Sequence, residues 1–359
     1  MSIVLIALIT VLLAAANGAN DNIKGAATLM GSGVIGYRPA IGLATAATAL
    51  GGVASIFLLN GLLAVFSGKG IVPAGLTASL PFLEAVGLGA ALTIWLATRL
   101  GLPVSTTHAL LGGLLGAGLA ADPSHVSYAS ALRAMLLPLL VSPLIAILLA
   151  LGIVPWLRRS REKAACVCIE PDLVMAGDTL ALARSSMTLG SPSQPACQPA
   201  PGRVVKTFAA ALWLDRAHVF SASAVSFARG LNDTPKIAAL IVAAGALGAG
   251  NASLLVIVAM ALGGWLASRR VAETLAFKVT RMDASEGLGG NLVTAALVIV
   301  ASRFGMPVST THVSTGALFG IALGNRSGHA PVIRNILLAW LVTLPLAGVL
   351  AYLTHLSIA

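Results

Sequence analysis

Long apolar stretches separated by short polar segments dominate this chain. Six intervals contain no Asp, Glu, Lys or Arg: 39–68, 100–121, 134–157, 237–268, 304–325 and 335–359. Each interval is long enough for one helical crossing of a bilayer, which needs about 20 residues. The intervals are apolar at consecutive positions and do not alternate with a period of two, which argues against a membrane β-barrel. The pattern predicts an all-α polytopic membrane protein with about 10–12 membrane segments.

Composition supports a membrane location. Apolar residues make up 57% of the 359 positions and charged residues only 9%, against about 25% charged in ordinary soluble domains. The net charge of +10 does not indicate a nucleic-acid partner, because basic residues follow apolar stretches at 158–163 and 269–281. Positive residues beside spans mark the cytoplasmic side. We therefore expect a multi-pass protein of the plasma or inner membrane.

One long segment, 158–206, interrupts the hydrophobicity. Its stretch 191–202 is dense in proline, serine and glutamine, a composition that cannot bury enough apolar area to fold. It predicts a flexible cytoplasmic linker between a first membrane repeat, 1–157, and a second, 207–359. The three cysteines, Cys166, Cys168 and Cys197, all lie in the linker at a spacing that does not indicate a metal site, and no cofactor is predicted.

Two motifs recur in the same order in the two halves. The pattern G-x-N-D-x-x-K occupies Gly18–Lys24 and Gly230–Lys236, and the hexapeptide PVSTTH occupies Pro103–His108 and Pro307–His312. The Asn of the first motif precedes the Ser of the hexapeptide by 85 positions in one half and 77 in the other. A loop of different length can account for the difference between 85 and 77 positions. The same two motifs in the same order therefore indicate that one half of the chain is a duplicate of the other.

The motifs interrupt apolar segments at matching places, which is typical of secondary transporters built from inverted repeats. Pro235, directly after Asn232 and Asp233, predicts a helix break. Each hexapeptide begins with the proline of a Gly-x-Pro sequence and precedes several glycines, a composition that disfavours one straight helix. We predict two re-entrant hairpins whose irregular tips are buried against protein.

The hexapeptides are candidate anion sites. Hydroxyls and free backbone N–H groups directly after a proline lie at a helix N-terminus, where the helix dipole favours an oxyanion. A local alternative is N-capping, with hydroxyls bonded to the preceding turn; recurrence in both halves favours the anion site. The candidate oxyanion-binding hydroxyls are those of Ser105, Thr106, Thr107, Ser309, Thr310 and Thr311.

Asp21 and Asp233 are candidate coupling-ion ligands, because a carboxylate inside a membrane is costly unless it serves a function. With the amide oxygens of Asn20 and Asn232 they offer hard oxygen atoms to Na⁺, or a carboxylate that carries a proton. The local alternative is an ion pair with the lysine three residues on.

Four further residues have candidate roles in charge compensation or proton relay. Lys24 and Lys236 either offset the anion's charge or take the place of a coupling cation. His108 and His312 titrate near neutral pH in water and are candidate proton relays; the alternative is that each is a hydrogen-bonding helix residue.

Enzyme motifs are missing from the sequence. It contains no G-x-S-x-G, H-E-x-x-H or G-x-x-x-x-G-K-[ST] pattern, so neither a nucleophile elbow, a zincin site nor an ATP-hydrolysing motor is indicated. We predict a protein that is not an enzyme, and transport driven by an ion gradient.

The paired motifs resemble those of the inorganic phosphate transporters of the PiT type, the Pho4 family of secondary carriers. The resemblance spans nearly the whole chain except the linker. It implies an inverted-repeat membrane fold that is generally dimeric. Carried over by motif, the resemblance implies that phosphate binds to Ser105, Thr106, Thr107, Ser309, Thr310, Thr311, Asn20 and Asn232, and that Asp21, Asp233 and the two asparagines bind the coupling ion. The family includes Na⁺-coupled, H⁺-coupled and sulfate-carrying members. The chain departs from the frequent family pattern at 22–25 and at Ala228-Arg229, which bears chiefly on the coupling ion.

These observations together predict a symporter of inorganic phosphate, driven by a Na⁺ or H⁺ gradient through alternating access. A homodimer in contact with membrane lipids is expected. The alternatives are a sulfate permease of the same family and a membrane receptor or scaffold that binds an anion without moving it. Phosphate is favoured because it can donate a hydrogen bond to Asp21 or Asp233, whereas sulfate at neutral pH cannot.

Overall fold

The computed structural model describes residues 3–58, 66–162, 166–176, 179–190, 204–207 and 210–359. Within them the two halves of the chain are helical, which confirms the all-α membrane prediction. The helices are α1 Ile3–Asp21, α2 Lys24–Gly31, α3 Tyr37–Leu58, α4 Leu80–Arg99, α5 Thr106–Ala121, α6 Tyr128–Ala131, α7 Leu137–Glu162, α8 Ala210–Ala243, α9 Ala249–Ala267, α10 Arg269–Glu273, α11 Ala284–Arg303, α12 Thr310–Asn325 and α13 Ala330–Ile358. Short turns of other helix types are Pro123–His125, Leu132–Leu136 and Thr274–Lys278.

Among the described residues, 7 helical stretches are long and apolar enough to cross a membrane. This number is below the predicted 10–12 segments. Helix α5 is apolar but shorter, and α8 carries charged residues along its length. Many large apolar side chains, such as Leu148, Leu266 and Leu341, are exposed on the outer surface of the helices. An apolar surface of this kind is what a bilayer solvates.

The helices of the two halves interleave. Helix α13 of the second half packs against α4 and α5 of the first, and α7 of the first half packs against α11 and α12 of the second. Similarly, α1 packs on α9, and α3 packs on α8. Each of the two large hydrophobic cores therefore contains residues from both halves. The division into two repeats at residues 157 and 207 stays a prediction from the sequence, because the two halves share their hydrophobic cores in the structure.

Glycines allow these helices to cross in direct backbone contact. A Cβ atom added at Gly18 of α1 would lie 2.0 Å from the carbonyl oxygen of Met260 in α9, and one at Gly230 of α8 would lie 2.0 Å from that of Thr48 in α3. Gly18 and Gly230 are the first residues of the two G-x-N-D-x-x-K motifs. Small residues at helix crossings are typical of membrane proteins, so the motif glycines place the motifs at the contact between halves.

The helix break predicted at Pro235 is wrong. Helix α8 continues through Pro235 to Ala243, whereas the first half, which has no proline there, is interrupted between Asp21 and Lys24. A proline removes one backbone hydrogen bond, and in a packed membrane helix neighbouring groups and local adjustments compensate for that loss.

The predicted linker contains regular structure. Three strands, β1 Cys166–Ala176, β2 Thr179–Gly190 and β3 Val204–Thr207, form an antiparallel sheet in the order β2-β1-β3. At one end of the β1–β2 pairing Ala176 lies opposite Thr179. The proline-rich stretch 191–202 lies outside the described residues, and the flexibility and cytoplasmic location of the segment stay predictions.

Candidate functional site

Each hexapeptide begins in an irregular segment between two helices. Gly101 and Gly305 have φ angles of 70° and 65°, the left-handed conformation that commonly follows a helix end, and they end α4 and α11. Residues 102–105 and 306–309 follow without regular structure; we call these segments the first and second tips. Helices α5 and α12 then begin at the first threonine of each hexapeptide. The Gly-x-Pro sequence therefore produces a helix end, an extended segment and a new helix start.

The first hydroxyl of each hexapeptide is an N-cap. Ser105 Oγ accepts a hydrogen bond from the backbone N–H of His108 at 3.1 Å, and Ser309 Oγ accepts one from His312 at 3.1 Å. This is the local alternative expected from the sequence, and it applies to the serines. The threonines that follow are left for other contacts.

The third hydroxyl of each hexapeptide reaches the opposite tip. Thr107 Oγ1 donates to the carbonyl oxygen of Val308 at 3.3 Å, and Thr311 Oγ1 donates to that of Val104 at 2.7 Å. All four residues are buried. The structure therefore brings the two hexapeptides together at one centre.

Lys24 lies within this centre. Its Nζ atom donates to Asp21 Oδ1, to Thr311 Oγ1 and, at 3.4 Å, to the carbonyl oxygen of Val104. The ammonium group therefore contacts a carboxylate from its own motif, a carbonyl from the first tip and a hydroxyl from the other half. The ion pair expected at helical spacing is present.

Lys236 makes the equivalent contacts in the second half. Its Nζ atom donates to Val308 O at 2.7 Å, to Thr107 Oγ1 at 3.0 Å and to Asp233 Oδ1 at 3.4 Å. Again the partners are a carboxylate of the same motif, a valine carbonyl of the same half and a threonine hydroxyl of the other half. The two lysine environments are therefore chemically matched.

Asn20 holds the first tip in place. Its Nδ2 atom donates to Thr98 Oγ1 at 2.9 Å and to Leu102 O at 3.0 Å, and its Oδ1 atom accepts from Val104 N at 3.0 Å. These bonds use both ends of the amide on the polypeptide itself. Asn20 therefore acts in this structure as a positioning residue for the tip.

Asn232 also contacts the tip of its own half, through a partly different set of partners. Its Nδ2 atom donates to Val308 O at 3.3 Å and to Asp233 Oδ1 at 3.0 Å, and Ser302 Oγ donates to its Oδ1 atom at 3.2 Å. The predicted contact of Asn20 and Asn232 with phosphate or an ion stays a prediction. Their observed contacts connect the G-x-N-D-x-x-K motif to the hexapeptide of the same half.

Arg229 is a site residue that the sequence prediction missed. It is 1% exposed, and its guanidinium donates to Asn22 Oδ1 at 3.1 Å, to Thr48 Oγ1 at 3.3 Å and to Asn17 Oδ1. Its Nε atom lies 3.7 Å from Asp233 Oδ2. The sequence feature that could have identified Arg229 is a charged residue directly before the glycine of the second motif, in an otherwise apolar stretch.

Asn17 occupies the corresponding place before Gly18 in the first motif. Its Nδ2 atom donates to Thr106 Oγ1 at 2.8 Å and lies 3.4 Å from Asp21 Oδ2 and 3.3 Å from Asp233 Oδ2. One amide group therefore connects the first hexapeptide and both carboxylates. The sequence prediction missed this residue as well.

The described residues of the centre carry more positive than negative side chains. Lys24, Arg229 and Lys236 contact Asp21 and Asp233, so with all five groups ionised one formal positive charge is left. An uncompensated buried charge is strongly unfavourable. A singly charged anion would neutralise the formal charge of this centre, and the hydroxyls and helix N-termini of the two hexapeptides are groups that can bind it.

The two hexapeptide histidines face each other. The ring centroids of His108 and His312 are 4.5 Å apart, and those of His312 and Trp340 are 4.0 Å apart with the ring planes tilted by 40°. His312 Nδ1 lies 3.3 Å from Leu139 O, while His108 Nδ1 and His312 Nε2 are buried with no hydrogen-bond partner among the described residues. The two histidines lie close to the tips, as a proton relay would require, but their role in proton transfer stays a prediction.

Comparisons with known proteins agree with this arrangement. Over 93% of its length the chain is 26% identical to a putative phosphate permease of Pyrococcus abyssi, covering 92% of that protein. It is 29% identical to a probable low-affinity inorganic phosphate transporter of Mycobacterium tuberculosis, over 94% of this chain and 73% of the relative. A solved structure described as the sodium-dependent phosphate transporter matches with a TM-score of 0.73 at 20% identity, covering 99% of this chain and 98% of the other.

A family model decides the assignment. The model described as the phosphate transporter family matches residues 17–351, which include both G-x-N-D-x-x-K motifs and both hexapeptides. The family consists of transporters, which confirms that the chain is not an enzyme and that it is a multi-pass membrane protein. The sulfate alternative finds no support in the family description or in these relatives. The chain belongs to the phosphate transporter family.

Proposed function

We propose that the protein is a secondary active symporter of inorganic phosphate that works by alternating access. The observation that supports this most directly is the meeting of the two hexapeptides in a buried centre with one surplus positive charge. A membrane-embedded centre of this kind needs an anion for electroneutrality. The threonines and serines of both hexapeptides offer hydroxyls and helix N-termini to the anion's oxygen atoms.

Opening of the two halves is required for the anion to enter. In this structure Thr107 and Thr311 donate to the carbonyls of the opposite tips, and Asp21 and Asp233 are at most 2% exposed. Separation of the tips would free the threonine hydroxyls for the anion. Reciprocal packing of α7 and α13 on the opposite half supports, but does not test, the inverted repeat that such a rocking motion would use.

Carboxylates beside the anion favour phosphate over sulfate. Phosphate keeps a proton at neutral pH and can donate a hydrogen bond, so Asp21 or Asp233 can accept it; sulfate would meet only repulsion. The coupling cation is Na⁺ or H⁺. The description of the structural neighbour names sodium; Na⁺ would have Asp21, Asp233, Asn20 and Asn232 as its candidate ligands, and H⁺ would be carried by Asp21 or Asp233.

Uptake by proteoliposomes tests this function. Purified protein is reconstituted, and accumulation of labelled phosphate and of labelled sulfate is measured with an imposed Na⁺ gradient, an imposed H⁺ gradient and no gradient. We expect gradient-dependent accumulation of phosphate and little accumulation of sulfate. Failure to accumulate either anion would favour the receptor or scaffold alternative and contradict the carrier. The proposed homodimer is checked separately by measuring the mass of the protein in detergent by light scattering.

A further inference from the structure

The oxygen atoms around each lysine ammonium form the kind of site that Na⁺ takes. Lys24 is surrounded by one carboxylate, one backbone carbonyl and one hydroxyl, and Lys236 has the same three partner types. Oxygens of these classes, from interrupted backbone and acidic side chains, are what transporters offer to small hard cations. Each half of this chain therefore has a cation site filled by its own side chain.

Both ammonium groups are fully satisfied in these sites. A lysine ammonium has three N–H donors and no acceptor, and each lysine contacts three oxygens. Both side chains are buried, Lys24 with 4% and Lys236 with 0% exposure. Because each lysine lies three residues after the aspartate that it contacts, the helix itself keeps the cation beside the carboxylate.

The residues as they stand do not fit Na⁺. An ion that shared the oxygens would lie close to the ammonium, and two like charges at such a short separation repel strongly in a buried site. The centre also already has more cations than carboxylates, since Arg229 contacts Asp233 in addition. Adding Na⁺ would increase that surplus, whereas adding phosphate would offset it.

We propose that Lys24 and Lys236 are tethered cations that replace coupling Na⁺ at two equivalent sites, so that phosphate transport by this chain does not require Na⁺. The inference rests on the proposed phosphate transport and selects H⁺ from the two coupling cations named there. It differs from simple charge compensation, because it predicts that removing the ammonium groups creates Na⁺ binding.

Transport by the unaltered protein is the first arm of the test. Phosphate uptake into proteoliposomes is measured at fixed pH with an imposed H⁺ gradient, in NaCl and in choline chloride. The inference predicts rates within about twofold of each other, and it is overturned if uptake falls by about tenfold or more when choline replaces Na⁺. Uptake that depends on Na⁺ would leave the proposed phosphate transport intact while refuting the lysine inference.

Ion binding is the second arm, and it does not depend on transport. The melting temperature of the detergent-solubilised protein is compared in NaCl and choline chloride, since a bound ligand stabilises the folded state. We expect no Na⁺-specific rise in the unaltered protein or in Lys278→Gln, a control that removes an exposed lysine. Lys24→Gln and Lys236→Gln should each gain a Na⁺-specific rise of about 2 °C or more.

The two arms separate the outcomes. A Na⁺-specific rise in the unaltered protein overturns the inference even if the variants do not fold. Folded Gln variants that show no Na⁺-specific rise also overturn it. Absence of phosphate uptake in every gradient would refute the proposed function, and the melting measurements would still decide whether the lysines occupy cation sites.

Discussion

The two G-x-N-D-x-x-K motifs are alike in their lysines and different in the residue before the glycine. Lys24 and Lys236 have matched sets of oxygen partners, one carboxylate, one carbonyl and one hydroxyl each. In contrast, the first motif is preceded by Asn17, a neutral amide, and the second by Arg229, a cation. The arginine contacts the first half through Asn17 and Asn22.

This difference separates two tasks of the centre. The matched contacts hold the two lysines in the same way, with the same three partner types in each half. The unmatched position decides the net charge, because Arg229 alone turns a balanced set of two lysines and two aspartates into one with a surplus positive charge. We infer that the symmetric residues build the site and that the asymmetric residue adjusts it to an anion.

The largest expected effect comes from removing either carboxylate. Asp21→Asn or Asp233→Asn leaves a buried lysine without its charged partner, a loss typically of about 3–5 kcal/mol. We expect gradient-driven phosphate uptake to fall by about a hundredfold or more in both variants, with assembly retained. Uptake is measured in proteoliposomes, with Asp122→Asn, outside the centre, as the control. Near-normal uptake in both variants would show that these carboxylates are structural only.

A smaller effect is expected at the position where the halves differ. Arg229→Asn makes the second motif resemble the first and removes the surplus charge. Without the surplus charge, bound phosphate would leave the buried centre with an uncompensated negative charge, so the KM for phosphate should rise by about tenfold or more. Arg229→Lys keeps the charge and should lose less. An unchanged KM in Arg229→Asn would mean that the asymmetry has no role in anion binding.

Substitution of the motif glycines at the two helix crossings tests whether the two halves depend equally on close backbone packing. Gly18→Ala and Gly230→Ala each place a Cβ atom 2.0 Å from a carbonyl oxygen, and overpacking of this kind typically costs about 1–3 kcal/mol. Both variants should melt several degrees lower in detergent. Gly36→Ala, where the added atom meets nothing within 4 Å, is the matched control. Melting temperatures equal to that of the control would contradict the tight crossings.

Removal of either serine N-cap should lower the melting temperature modestly and by an equal amount. Ser105→Ala and Ser309→Ala each remove a hydroxyl that accepts a backbone hydrogen bond at 3.1 Å, a loss of about 1 kcal/mol in folding free energy. The melting temperatures of the two variants are expected to fall by the same amount. A fall in only one of them would show that the hexapeptides have different structural roles despite identical sequences.

The smallest effect is expected outside the two halves. Deletion of residues 191–201 shortens a stretch whose composition predicts a linker, and chain closure depends weakly on length, at about 0.6 kcal/mol per doubling. Phosphate uptake should stay within about twofold of the full chain. Loss of transport by a folded deletion variant would assign this segment a role that neither half explains.

Much of the membrane fold could be predicted from the sequence, because apolar runs of sufficient length and repeated motifs carry direct physical information. The prediction at Pro235 failed because a proline inside a packed helix is tolerated when neighbours compensate for its lost hydrogen bond. The strands after Cys166 were missed, since the proline-rich stretch that follows dominated the composition of the segment. Asn17 and Arg229 were not predicted as site residues because neither belongs to the repeated G-x-N-D-x-x-K pattern, and Arg229 was noted only as a departure from the family pattern.

The sequence by itself determined that the chain is a helical membrane protein with two pairs of repeated motifs, and that a lysine follows three residues after an aspartate in each G-x-N-D-x-x-K motif. These properties depend on local composition and on helical spacing. Only the tertiary structure decided which oxygens surround each lysine, since Val104 meets Thr311 and Val308 meets Thr107 from segments about two hundred positions apart. It also decided that Arg229 joins the centre, because that contact depends on how helices α1, α3 and α8 pack, and no local pattern records it.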